Sequence, residues 1–117
     1  MPDFSLPRDK ILRHRNDFDE VRREGKRVAS KHLALNFLRV ANSERRAGFI
    51  VPKVCGDAVR RNKIKRRLRE IYRQQQHELA ADLQSVWIAR KGAADVEFAE
   101  LKREMLALYG KAGVYEI

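Results

Sequence analysis

The chain has 117 residues, 44% hydrophobic and 36% charged, enough for one modest core beneath a heavily solvated surface but not for two domains. Its 26 Lys and Arg outnumber 16 Asp and Glu, giving a net charge of +10, so a polyanionic partner is expected: nucleic acid first, an anionic membrane surface second. One cysteine, Cys55, excludes an internal disulfide and suits a reducing cytoplasm, where its plain reading is a small packed residue beside a turn.

The opening MPDFSLPRDK lacks the apolar core of a signal peptide, and no run approaches membrane-spanning length, so a soluble, unexported, cytoplasmic protein is expected. Residues 1–12 read as extended, broken by Pro2 and Pro7. NDFDEVRREG (16–25) reads as a short helix capped by Asn16 or Asp17, with Phe18 and Val21 on one face and Gly25 as the stop. RVASKHLALNFLRV (27–40) alternates like a strand with a break near Ser30. Leu33, Leu35 and Phe37 face one side, and Ala34, Asn36 and Leu38 the other.

NSERR (42–46) is a polar turn, and AGFIVPK (47–53) a second β-rich run that Pro52 confines to a strand end or edge. Asp57 caps a long helix reaching about Leu79. SVWIARK (85–91) is a short buried strand, with Trp87 and, earlier, Phe49 as core residues. Asp95 caps a last helix in which Phe98, Leu101, Met105 and Leu108 recur at helical spacing, and Gly110 ends it. Helices covering a few strands make an α+β or α/β sandwich, read as one domain over 1–117.

RRNKIKRRLRE (60–70) is the most informative stretch. Residues 60–73 hold eight cations against the single acid Glu70. On a helical wheel Ile64, Leu68 and Ile71 form a narrow apolar stripe, while Asn62, Lys65, Arg66, Arg69 and Arg73 cluster on the opposite side. Arg60, Lys63 and Arg67 flank the stripe. A merely solvated face would mix Glu with Lys at i,i+4, and a membrane-surface helix would carry more Trp, Phe and Leu. Nucleic acid is the better partner, with Arg making bidentate phosphate contacts and Asn62 reaching a base or ribose.

A protein active site is not legible. The acidic group Asp17, Asp19 and Glu20 points in different directions at helical spacing. His14, His32 and His77 share no motif and read as surface residues, and no zinc spacing or phosphate loop occurs. No catalytic residue and no protein-bound metal are therefore expected.

GFIVPKVCGDAVRRNKIKRRLREIYR (48–73) resembles the signature of the bacterial ribonuclease P protein subunit: a strand, a Lys-bearing turn with Gly, then a basic helix. HRNDFDEVRREGKRV (14–28) resembles that family's N-terminal helix, and VWIARKGA (86–93) its late strand. Two positions depart from the pattern: Arg61-Asn62-Lys63 stands where Arg-Asn-Arg is usual, and Val54 replaces a second turn lysine. The resemblance implies a mainly antiparallel sheet of about four strands with three helices, ordered α-β-β-β-α-β-α. It also implies a left-handed β-α-β crossover, against the right-handed form found in about 98% of parallel connections.

For function, the resemblance implies a ribonucleoprotein that removes the 5′ leader from precursor tRNA, the RNA subunit performing the hydrolysis with Mg²⁺ and the protein binding no cofactor of its own. Arg61, Asn62, Lys63, Lys65, Arg66 and Arg69, with Arg60 and Arg73 on the same helix, are then expected to contact RNA. Phe18 offers a stacking platform for a leader base, simple core packing being its other reading. Lys53, Arg90 and Lys91 line the approach, and Asn36 is a further cleft candidate. The partners implied are the catalytic RNA and precursor tRNA, with no membrane and no DNA. A small structural RNA-binding protein of ribosomal type is the alternative, and a DNA-binding helix stands third.

Overall fold

The computed structural model describes residues 5–116, so the extended reading of residues 1–4 with Pro2 lies outside the described residues. In chain order the elements are α1 (Arg15–Glu24), β1 (Lys26–Ala29), β2 (Leu33–Arg39), β3 (Arg46–Ile50), α2 (Ala58–Gln75), β4 (Leu83–Ala89) and α3 (Phe98–Ala112). Four short 3₁₀ turns join them. The sheet runs β1-β2-β4-β3, antiparallel except for the parallel pair β3 and β4.

Both faces of the sheet are covered, which is why β2 is apolar on both sides. Leu33, Leu35, Ala47, Phe49, Trp87 and Ala89 meet Ile64, Leu68, Ile71 and Tyr72 of α2 and Leu101, Met105, Leu108 and Tyr109 of α3 in the main core. The other face carries a smaller cluster of Leu12, Val21 and Val86, with Phe18, Leu38 and Ile88 against it. Polar groups inside the main core are paired. The Trp87 Nε1–H donates to the Tyr109 hydroxyl at 2.9 Å, and Ser85 Oγ lies 2.9 Å from that oxygen. Burial pushes the Tyr109 hydroxyl far above its ordinary pKa, so it stays protonated.

The chain passes from β3 through α2 to the neighbouring parallel β4, and the hand of that crossover follows from Ala47. Its side chain faces α2, and its carbonyl accepts from the Leu12 amide at 2.8 Å on the outer side of β3. Viewed from the side-chain face with the strand running upwards, the carbonyl of an L-residue points right. Leu12 therefore lies to the right of β3 and β4 to its left, with α2 in front. The crossover is left-handed, against the usual preference.

Element boundaries moved where local capping gave way to tertiary packing. His14, not Asn16 or Asp17, is the N-cap of α1, and no side chain caps it. Gly25 ends α1 in extended backbone rather than a left-handed turn. A Cβ there would lie 2.3 Å from the Phe37 carbonyl oxygen, so close backbone approach is what requires glycine. Asp57 does cap α2, accepting from the Arg60 amide at 2.9 Å, but the helix stops at Gln75 and a 3₁₀ turn carries the chain towards Leu79. Asp95 sits in a 3₁₀ turn, and Glu97 is the N-cap of α3. That helix runs through Gly110 to Ala112 before Gly113 takes the left-handed φ of 70°.

His32 is also not a surface residue. It is 9% exposed, and its Nδ1 lies 2.7 Å from Glu104 Oε2, fastening the β1–β2 loop to α3. Burial alone would raise the Glu104 carboxyl, but hydrogen bonds from Ser30 and His32 outweigh it and hold the group below the ordinary carboxylate range.

Candidate nucleic-acid interface

The basic helix is fixed by its apolar stripe. Ile64, Leu68 and Ile71 are all but fully buried, and Tyr72 joins them, its hydroxyl pushed up to about 12 by burial. That anchoring turns the opposite face outwards. Arg60, Asn62, Lys63, Arg66 and Arg69 are exposed, and Lys65, Arg61 and Arg73 partly so. The cations are not equivalent. Glu70 takes Arg73 in two hydrogen bonds, at 2.7 and 3.0 Å, and these hold the Glu70 carboxyl below its ordinary pKa. Arg67 is turned aside to the Val96 carbonyl at 3.1 Å. Among the described residues no acidic side chain pairs with Arg60, Arg61, Lys63, Lys65, Arg66 or Arg69. No acidic side chain among the described residues neutralises these six charges. Cys55 lies beneath this end of the helix, its thiol pushed up by burial with the Arg61 charge opposing, so it is a packed thiol rather than a nucleophile.

Two grooves meet on this helix. One, of about 530 Å³, runs along the outer face between Leu6 and Asn62, Lys65, Arg66, Arg69, Glu70 and Arg73. The other, of about 250 Å³, is bounded by Ile11, Leu12, Arg13, Phe18, Phe49, Lys65 and Arg69. Lys65 and Arg69 line both, so the cationic face continues around the edge of β3 to the aromatic ring on α1. Phe18 is held there by Gly48: a Cβ on Gly48 would lie 2.4 Å from the ring. Gly48→Ala should therefore displace the ring and cost about 1–3 kcal/mol through overpacking. In urea denaturation that cost should shrink when Phe18 is alanine.

The proposed cleft residues do not form one cluster. Phe18 and Asn36 lie in one transverse row on the α1 face, since Gly48 pairs with Val86, Val86 with Asn36, and Asn36 with Arg27. Asn36 is buried, and its Oδ1 accepts from Arg27 Nη1 at 3.4 Å. Lys53, Arg90 and Lys91 sit instead beyond the C-terminal ends of β3 and β4, all exposed, with Arg90 Nη1 donating to the Ser30 carbonyl at 2.6 Å. Arg13 and Arg27 were not singled out in the sequence. Arg13 lies in a segment with no periodicity and reaches the groove only because Ile11 bridges to Ala47 at the sheet edge. The lone Gly48 inside a strand was the one local sign of a close approach.

A family model described as Ribonuclease P matches residues 6–113. The chain belongs to the ribonuclease P protein family. It is 35% identical over 112 residues to the ribonuclease P protein component of Dictyoglomus thermophilum, covering 94% of this chain and 93% of that one. With the component of Syntrophobacter fumaroxidans it shares 36% over 104 residues, covering 88% and 87%. The structure of the Staphylococcus aureus RNase P protein superposes with a TM-score of 0.84 at 25% identity, covering 92% of this chain and 98% of that one. The Thermotoga maritima RNase P protein gives 0.77 at 31%, covering 86% and 94%. The chain is thus a tRNA-processing subunit of a ribonucleoprotein endoribonuclease. The ribosomal-type alternative falls away with that membership.

Proposed function

We propose that the outer face of α2 binds the catalytic RNA subunit while the groove holding Phe18, Arg13, Lys65 and Arg69 receives the 5′ leader of precursor tRNA. The observation that carries this reading is the sharing of Lys65 and Arg69 between the two grooves. A single strand leaving the RNA-bound helix meets first a pair of cations for its phosphates, then a ring for a base. Arg60, Arg61, Asn62, Lys63 and Arg66 serve the RNA subunit. Lys53, Arg90 and Lys91 extend the leader path at the strand ends, while Asn36, buried beneath the α1 face, acts by holding Arg27. Hydrolysis belongs to the RNA with its Mg²⁺, and the protein's cations lower the Mg²⁺ that the RNA needs. DNA is not a partner, and the site of action is the cytoplasm. Among the described residues no helix is long and apolar enough to cross a membrane.

The test is reconstitution. Nuclease-treated protein alone should leave precursor tRNA intact at every Mg²⁺ concentration, and with the cognate RNA subunit it should lower the Mg²⁺ required for leader removal. Cleavage by RNA-free protein would overturn the assignment of chemistry to the RNA.

A further inference from the structure

We propose that His32, Glu100 and Glu104 bind one divalent cation of the zinc class at the junction of the β1–β2 loop and α3. One ligand atom from each residue lies within 4.8 Å of the other two. His32 and Glu104 are buried, 9% and 7% exposed, and Glu100 is partly so. Glu104 is already oriented: its Oε1 accepts from Ser30 Oγ and, at 3.0 Å, from the His32 amide, which leaves Oε2 facing His32 Nδ1. That arrangement is complete as a hydrogen-bonded clip, and it gives Glu100 no role. Yet Glu100, one turn earlier on α3, brings a second carboxylate to the same point, where it opposes the first. Its partner Arg103 is exposed and binds it from outside.

A divalent cation accounts for all three. His32 Nδ1 releases its proton to solvent and donates its lone pair to the metal. Two carboxylates and a neutral imidazole then balance the double charge. One nitrogen and two oxygens suit Zn²⁺, Co²⁺ or Mn²⁺ better than the all-oxygen sites of Ca²⁺ or Mg²⁺. Ligand bonds of about 2.1 Å in a tetrahedral site place donors roughly 3.4 Å apart, so side-chain rotation brings these three into range and water fills the fourth position. Occupancy would clamp α3 to the loop that holds Arg90: the Ser30 carbonyl accepts from Arg90 Nη1, and the His32 carbonyl accepts from its amide at 2.8 Å. The site is separate from the Mg²⁺ of the RNA and from both nucleic-acid grooves.

The experiment titrates Co²⁺ into the chelator-treated full chain, followed by visible absorption, with Zn²⁺ as competitor. One saturable site is expected, with a melting temperature that rises with free metal by mass action. Glu100→Gln should weaken binding at least tenfold while the metal-free variant melts like the parent, because Glu100 takes no part in the clip. In the unaltered chain, Mn²⁺ should selectively broaden the NMR signals of His32 and Glu104, a check that needs no variant. Absence of saturable binding, unchanged affinity in Glu100→Gln, a thiolate charge-transfer band from Cys55, or broadening centred on His14 or His77 would each overturn the proposal.

Discussion

Replacing Phe18 with alanine is expected to cost the holoenzyme about 1–3 kcal/mol of affinity for precursor tRNA, the usual worth of one base stacked on an aromatic ring. Mature tRNA, which has no leader, should bind equally well with or without the ring. The expectation rests on where the ring sits. Phe18 is only partly buried, one edge against Gly48, and the groove it borders carries three cations, Arg13, Lys65 and Arg69, beside the apolar Ile11, Leu12 and Phe49. The measurement is paired, precursor against mature tRNA, after circular dichroism has established that α1 remains folded. Equal weakening of both substrates would return Phe18 to the role of a core residue, packed with Val86 and Leu12.

The second large effect concerns the outer face of α2. Changing Lys63 and Arg66 together to alanine should weaken binding of the RNA subunit and flatten its salt dependence. Each lost phosphate contact removes roughly 0.7–0.9 from the log–log slope, so the pair should remove about 1.4–1.8. These two cations are the informative choice because both are exposed and neither has an acidic partner among the described residues. Arg73 is a poorer probe because Glu70 already holds it, and Arg69 a confounded one because it lines both grooves. The preference for precursor over mature tRNA should survive the double change, since the Phe18 groove is untouched. An unchanged salt slope would place the RNA subunit on another surface.

The basic helix was legible because one pattern holds over residues 60–73: Ile64, Leu68 and Ile71 at helical spacing, and cations at eight of the other eleven positions. The split of β1 from β2 was legible at Ser30, but the segment reads as an alternating strand with Asn36 on one face, and the burial of β2 on both faces comes from α1 packing over that side. Helix ends were less so. Asp95 and Gly110 are good local signals for a cap and a stop, but the 93–95 turn delays the start of α3 to Phe98, and burial of Leu108 and Tyr109 accompanies its run past Gly110 to Ala112. His32 was misread because its partner Glu104 is 72 residues away, and nothing in its own neighbourhood marks it as buried. The groove was legible only in pieces. Phe18 stands in α1 and Lys65 and Arg69 in α2, and Arg13 joins them through a single bridge at the edge of β3, a juxtaposition that belongs to the topology. The left-handed crossover was implied by the resemblance alone. Local propensity would have chosen the other hand.

The measurement that tests the two-groove account most directly is site-directed cross-linking from position 13. A short photoreactive group is attached to Arg13→Cys in a Cys55→Ser background, and the protein is assembled with the RNA subunit and precursor tRNA. The reagent would then lie where the groove of Phe18, Lys65 and Arg69 opens. A leader lying in this groove gives cross-links to leader nucleotides, lost when mature tRNA is substituted. Cross-links confined to the RNA subunit, or to the body of the tRNA whether or not a leader is present, would contradict it.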